Sequence, residues 1–152
     1  MSGEYPPDWS TPELGDFAKA TGGSRFPPSA QGSNEGDYPF YKVSDMNLPG
    51  NERFMGVANH WVTEATRKRI KARTFPAGSV IFPKIGAAVA TNKKRLLTQE
   101  SIIDNNVMAV VVDDPERCAF SYLRFWFEMI DLRDLSNSGA LPSIPGHRVH
   151  TT

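Results

Sequence analysis

Cysteine is nearly absent: Cys118 is the one thiol in 152 residues, so no internal disulfide can staple the fold and a packed core must hold it. Long apolar runs are missing as well, and nothing approaches the ~20 residues a membrane-spanning helix needs. The opening MSGEYPPDW has neither the basic nor the apolar region of a secretory signal, so a cytoplasmic location is expected. Enzyme signatures are equally scarce. There is no G-x-x-x-x-G-K-[ST] phosphate loop, and Gly22-Gly23 lacks the spacing and setting of a dinucleotide fingerprint. His147 and His150 have no cysteine or carboxylate companion with which to hold a metal, and His60 beside Trp61 reads as a packed or surface histidine. Asp113-Asp114 stands just before Pro115, where helix capping explains it better than a metal. Cys118, inside CAFSYLRFWF, reads as a reduced, packed thiol. A binder with no catalytic residue, metal or cofactor is the expectation.

What is present is sorted charge. Seventeen Lys and Arg balance seventeen Asp and Glu, yet the stretch from Ala65 to Gln99 carries nine cations and no acid. Arg67, Lys68, Arg69, Lys71 and Arg73 form one cluster, Lys84 stands alone, and Lys93, Lys94 and Arg95 form a second. Two such clusters joined by a strand suit a polyanion, and a nucleic-acid backbone yields affinity through counterion release without any sequence reading. A solvated face, or a stripe paired with the acidic flanks, is the alternative. Tyr38, Phe40, Tyr41 and Lys42 interleave aromatic with basic character, although core packing on a strand explains aromatics too. Asn92, beside the second cluster, is of the residue class that reads base edges.

The length fits a single domain over residues 1–152. Ser10 with Glu13 resembles a capping box, while Leu14, Gly15 and Phe17 would equally serve a strand. Residues 22–37, rich in Gly, Ser, Pro and Asn, predict an exposed loop outside the core. YPFYKVSDM predicts a strand that Pro39 confines to an edge or a first position. Thr63 predicts the N-cap of a short basic helix reaching Lys71, and Phe75-Pro76-Ala77-Gly78 a tight turn with Pro76 second. SVIFPKIG and NNVMAVVV predict buried strands, with a hairpin between them turning at Thr91 to Lys94. Pro115 predicts the first position of a helix that repeats Ala119, Leu123, Trp126, Phe127 and Ile130 on one face. Residues 136–152 predict an irregular C-terminal segment.

Taken in order, GDYPFYKVSDMN, FPAGSVIFPKIGAAVATNKK, SIIDNNVMAVVV and YLRFWFEMIDLRDLSNSGALPSI resemble a target recognition domain of the specificity (S) subunits of type I restriction-modification systems. TPELGDFAKATGG is similar to that family's opening strand and tips the first element toward β. The resemblance implies an α/β (α+β) domain with a curved, mainly antiparallel sheet and short flanking helices. It also implies a non-enzymatic reader of double-stranded DNA that serves one half of a bipartite site. In such systems the modification (methyltransferase) subunits bind S-adenosylmethionine and carry the chemistry, alongside restriction subunits. The family's spacer helix has no counterpart before Thr152, so the expectation is a monomer in isolation. A general DNA- or RNA-binding module and a protein-interaction decoy for restriction-modification subunits are the alternatives. The expected DNA contacts are Lys42, Arg67, Lys68, Arg69, Lys71, Arg73, Lys84, Lys93, Lys94 and Arg95, with Asn92 as base reader.

Overall fold

A computed structural model describes residues 13–116, 118–137 and 143–150, so Ser10 of the expected capping box lies outside it. Its backbone follows from the two apolar segments. β8 (Val107–Val112) is β-branched along most of its length and sits inside a five-stranded sheet, flanked by β1 (Ala18–Gly22) and β5 (Val80–Pro83). Both ladders are antiparallel, with Ala18 opposite Val112 and Val80 opposite Val110. β6 (Arg95–Leu97) and β3 (Phe54–Met55) complete the order β1-β8-β5-β6-β3.

Side chains alternate across a strand, so one sheet feeds two cores. Val80, Phe82, Met108, Val110 and Val112 point to one face, where Leu123 and Phe127 of α2 (Phe120–Met129) cover them. Ile81, Val107 and Ala109 point to the other, against Tyr41, Met46, Met55 and Ile103. A second sheet stands there, built of β4 (Trp61–Val62), β2 (Tyr38–Tyr41) and β7 (Ile102–Ile103) in that order. The same alternation turns Tyr41 and Ile103 toward the larger sheet and Phe40 and Ile102 away from it. The fold is therefore α+β as expected, but with two sheets in place of one curved sheet, and antiparallel pairing prevails.

The outward face of the small sheet corrects the reading of residues 22–37. Most of that segment is exposed, yet Phe26 and Ala30 are buried, and Phe26 stacks on Phe40 with centroids 3.6 Å apart and planes 7° off parallel. The segment is a lid for a second core, anchored by one aromatic that its composition conceals.

Other expectations shift for local reasons. Pro39 lies in the middle strand of its sheet rather than at an edge, at the point where the ladder to β4 ends and the ladder to β7 begins. The tight turn closes from Ser79 N–H to the Pro76 carbonyl, which puts Pro76 first and Gly78, at φ 90°, third, as a type II turn requires. After β5 the chain makes a 3₁₀ turn over Gly86–Thr91 before reversing into β6, longer than a tight hairpin. The aromatic helix starts at Phe120, not Pro115, because the Asp114 carboxylate accepts the Glu116 N–H and its carbonyl accepts the Cys118 N–H, making a separate turn. Within that helix Trp126 is only partly buried, edge-on to the buried Phe127. The expected irregular segment of residues 136–152 carries a short helix near its end: just before it, α3 (Leu132–Leu135) adds Leu132 and Leu135 to the core, and within it α4 (Gly146–His150) adds Val149. His150 Nε2 accepts the Ala20 N–H at 2.9 Å, tying α4 to the edge strand β1. Cys118 is buried, and burial pushes its thiol up.

Candidate nucleic-acid interface

The first basic cluster grows out of α1 (Glu64–Arg69). Thr63 caps it as the sequence suggests, its hydroxyl accepting the Thr66 N–H at 3.2 Å. Glu64, in the first turn, binds Arg67 through two hydrogen bonds of 2.8 and 2.5 Å, and Lys68 lies 3.8 Å away. Arg67 also donates to the Ala72 carbonyl and lies over the Tyr38 ring. The Glu64 carboxyl is held down at about 2 by Arg67 and then by Tyr38, whose phenol is pushed up by the same carboxylate. Arg67 is thus engaged within the chain.

The rest of this cluster faces outward. Lys71 adopts a left-handed backbone, φ 56°, which ends the helix and turns the chain sharply. Arg69, Lys71 and Arg73 are exposed on that turn, and among the described residues none has an acidic partner. The Arg73 N–H donates to Ser24 Oγ at 3.0 Å, which brings the exposed, unpaired Arg25 alongside. Arg25 was missed by sequence reasoning. It lies far from the basic stretch, inside a Gly, Ser and Pro loop, and only the fold joins the two.

Lys42 and Lys84 look inward. Lys42 Nζ donates to Gln31 Oε1 at 2.9 Å, and Lys84 Nζ sits against Gly22, where an added Cβ would come within 2.7 Å of it. Both act on Asp104, whose buried carboxyl is pushed up by desolvation against the opposing pull of the Asn106 N–H and these two lysines.

The second cluster is bound up in the fold. Arg95 donates to the carbonyls of Asn51, Lys94 and Met46, knitting β6 to the loop before β3. Lys94 donates to the Ile130 carbonyl at 2.5 Å and to Asn92 Oδ1 at 3.1 Å, and Lys93 to Asn47 Oδ1. Burial pushes Lys94 and Arg95 down. Asn92, left-handed at φ 53°, accepts the Leu132 N–H at 2.9 Å and so joins the 3₁₀ turn to α3. The two clusters therefore have different neighbours: the first meets Ser24 and Tyr38, the second residues 46–51 and 130–132.

Between the loop of residues 29–35 and α1 lies an open, polar cleft of ≈ 190 Å³, lined by Gln31, Ser33, Glu35, Trp61, Thr66 and Arg69 among others. It is smaller than the ~300–1,000 Å³ of sites that enclose small molecules, so it suits contact with a surface. Trp61 N–H donates to the Ser33 carbonyl at 2.9 Å, which fastens the loop to β4.

Comparison with known proteins returns a consistent set. A family model described as type I restriction modification DNA specificity domain matches residues 6–150. A structure titled for complex assembly and conformational transition of the type I R-M system superposes with a TM-score of 0.72 at 15% identity, covering 99% of this chain and 34% of that one. The type I restriction-modification S subunit from M. genitalium gives 0.59 at 11% identity, with 92% of this chain and 32% of that chain covered. The HsdS subunit from Thermoanaerobacter tengcongensis gives 0.53 at 15%, with 97% and 36% covered. The chain thus spans about a third of the length of each. Comparison with curated protein sequences returns no match.

Proposed function

The chain belongs to the type I restriction modification DNA specificity domain family, and from that membership we propose that it binds duplex DNA as the reader of one half of a bipartite site. A role in DNA sequence specificity comes with the family; binding and its geometry are the proposal. One observation carries it: the Ser24–Arg73 hydrogen bond brings Arg25 beside Lys71 and Arg73, and none of the three has an acidic partner among the described residues. Unpaired cations grouped on one surface are what phosphate neutralisation requires. Lys68, mostly exposed, adds to the same field.

Arg67, Lys42 and Lys84 are engaged within the chain, Asn92, Lys93, Lys94 and Arg95 bond to residues 46–51 and 130–132 elsewhere in the fold, and none of these seven leads the contact. A stacking module for single strands is less well supported, since Tyr41 is 1% exposed and Arg67 lies over Tyr38. The chain itself performs no chemistry in this reading. It directs the methyltransferase and nuclease subunits of a larger assembly, in keeping with relatives about three times its length.

Selection of bound duplexes from a random library, followed by sequencing, tests the reading. Enrichment of a motif of ~3–5 base pairs is expected. Recovery of no motif would overturn it.

A further inference from the structure

Phosphate contacts position a protein on DNA, and base contacts specify the sequence. The unpaired cations supply the first; the cleft beside them supplies the second. Arg69 and Glu35 both line it, yet they form no ion pair with each other, and neither the Arg69 guanidinium nor the Glu35 carboxylate has another partner among the described residues. The loop of residues 29–35 is joined to β4 by the Trp61 N–H to Ser33 carbonyl bond, and Arg69 is the last residue of a capped helix, so the two exposed side chains come to the cleft from separate segments. Gln31, also on the lining, is held within the chain: its amide nitrogen donates to the Phe26 carbonyl and its oxygen accepts from Lys42. What remains on the lining is one five-donor fork and one carboxylate acceptor, both exposed and without a protein partner among the described residues.

The major-groove edge of a G·C pair presents the complement, with guanine N7 and O6 as acceptors followed by the cytosine N4 amino donor. An A·T pair offers Arg69 only one acceptor on adenine and sets the adenine amino group against it. We propose that this cleft reads a single G·C pair, Arg69 donating to guanine and Glu35 accepting from the cytosine amino group. The inference rests on the reading of the chain as a duplex DNA reader and adds to it a named base pair and the two side chains that select it.

Library selection with the 152-residue chain, run in parallel on wild type, Arg69→Ala, Arg69→Lys and Glu35→Ala, decides the matter, with thermal unfolding confirming that each variant folds. Wild type should enrich a motif with one G·C pair that turns degenerate in both alanine variants, at the same position. Duplexes carrying that pair should lose roughly 5- to 150-fold in affinity, and duplexes lacking it should change little. Arg69→Lys keeps the charge and loses the fork, so it should retain general affinity without the guanine preference. A wild-type motif that survives unchanged in either alanine variant or in Arg69→Lys would overturn the inference and leave the half-site reading intact. Failure of wild type to enrich any motif would overturn both.

Discussion

Arg69-Lys71-Arg73 and Lys93-Lys94-Arg95 are the same chemistry placed twice in one chain, in opposite surroundings. The first follows a six-residue helix whose only acid, Glu64, is already occupied by Arg67 and Lys68, and the left-handed Lys71 turns the remainder into solvent. The second enters a strand beside segments 46–51 and 130–132, whose carbonyls lie outside the ladders. Arginine and lysine carry several donors and no acceptor, so they settle wherever unpaired carbonyls collect. Whether a basic run binds a partner or stitches the fold is decided by the acceptors around it, which its own sequence does not contain.

Arg95→Ala tests that contrast most severely. It strips donors from the carbonyls of the buried Asn51 and Met46 and from Lys94, and a loss of about 2–4 kcal/mol is expected. Urea unfolding measures it. A loss below ~0.5 kcal/mol would erase the distinction between the clusters, because surface substitutions behave that way.

Asn92 sharpens the same point at smaller cost. Asn92→Ala gives up both the Leu132 N–H bond and a residue tolerant of the left-handed backbone, for about 2 kcal/mol, whereas Asn92→Gly keeps the backbone and should lose only about 1. Equal losses in the two variants would mean that the conformation of this residue carries no weight.

The sequence was legible where periodicity was long. β5 and β8 were readable because apolar, largely β-branched runs leave little other option, and Thr63 announced its helix by type and position. Of the small sheet only β2 was readable as a strand: β4 and β7 are two residues each, too short to leave an alternation, and β2 gains its central place from partners remote in sequence. Phe26 was hidden by its loop's composition, and Pro115 gave a helix-start signal that serves a turn equally well. At the candidate site, the charge of the stretch between Ala65 and Gln99 was visible in the sequence, but Arg25 and Glu35 carry no local signal. Only the bonds from Arg73 to Ser24 and from Trp61 to Ser33 bring them to the surface in question.

Replacing Arg25, Lys71 and Arg73 together with Ala should leave stability within about 0.5 kcal/mol of wild type. The dependence of DNA affinity on salt should flatten by about 0.9 for each phosphate that the variant no longer neutralises. The matched variant, Lys93 and Lys94 to Ala, should leave the slope unchanged. Titration of a fixed duplex at several salt concentrations reads both, and a reversed ranking would exchange the roles of the two clusters.

The smallest effect is the most diagnostic, because one residue controls how many cations the first cluster presents. Glu64→Gln removes the carboxylate that occupies Arg67 and Lys68, so at neutral pH the variant should lose a little stability and engage up to one more phosphate, steepening its salt slope. The pH dependence has a definite sign. The folded-state carboxyl lies at about 2, below the ordinary range, so its contribution is complete above that range and disappears as the pH falls toward 2. Urea midpoints of wild type and Glu64→Gln should therefore differ at pH 7 and converge near pH 2. A gap that persisted undiminished in acid would show that the Glu64 charge does not hold Arg67, and the salt slope of the variant should then match that of wild type.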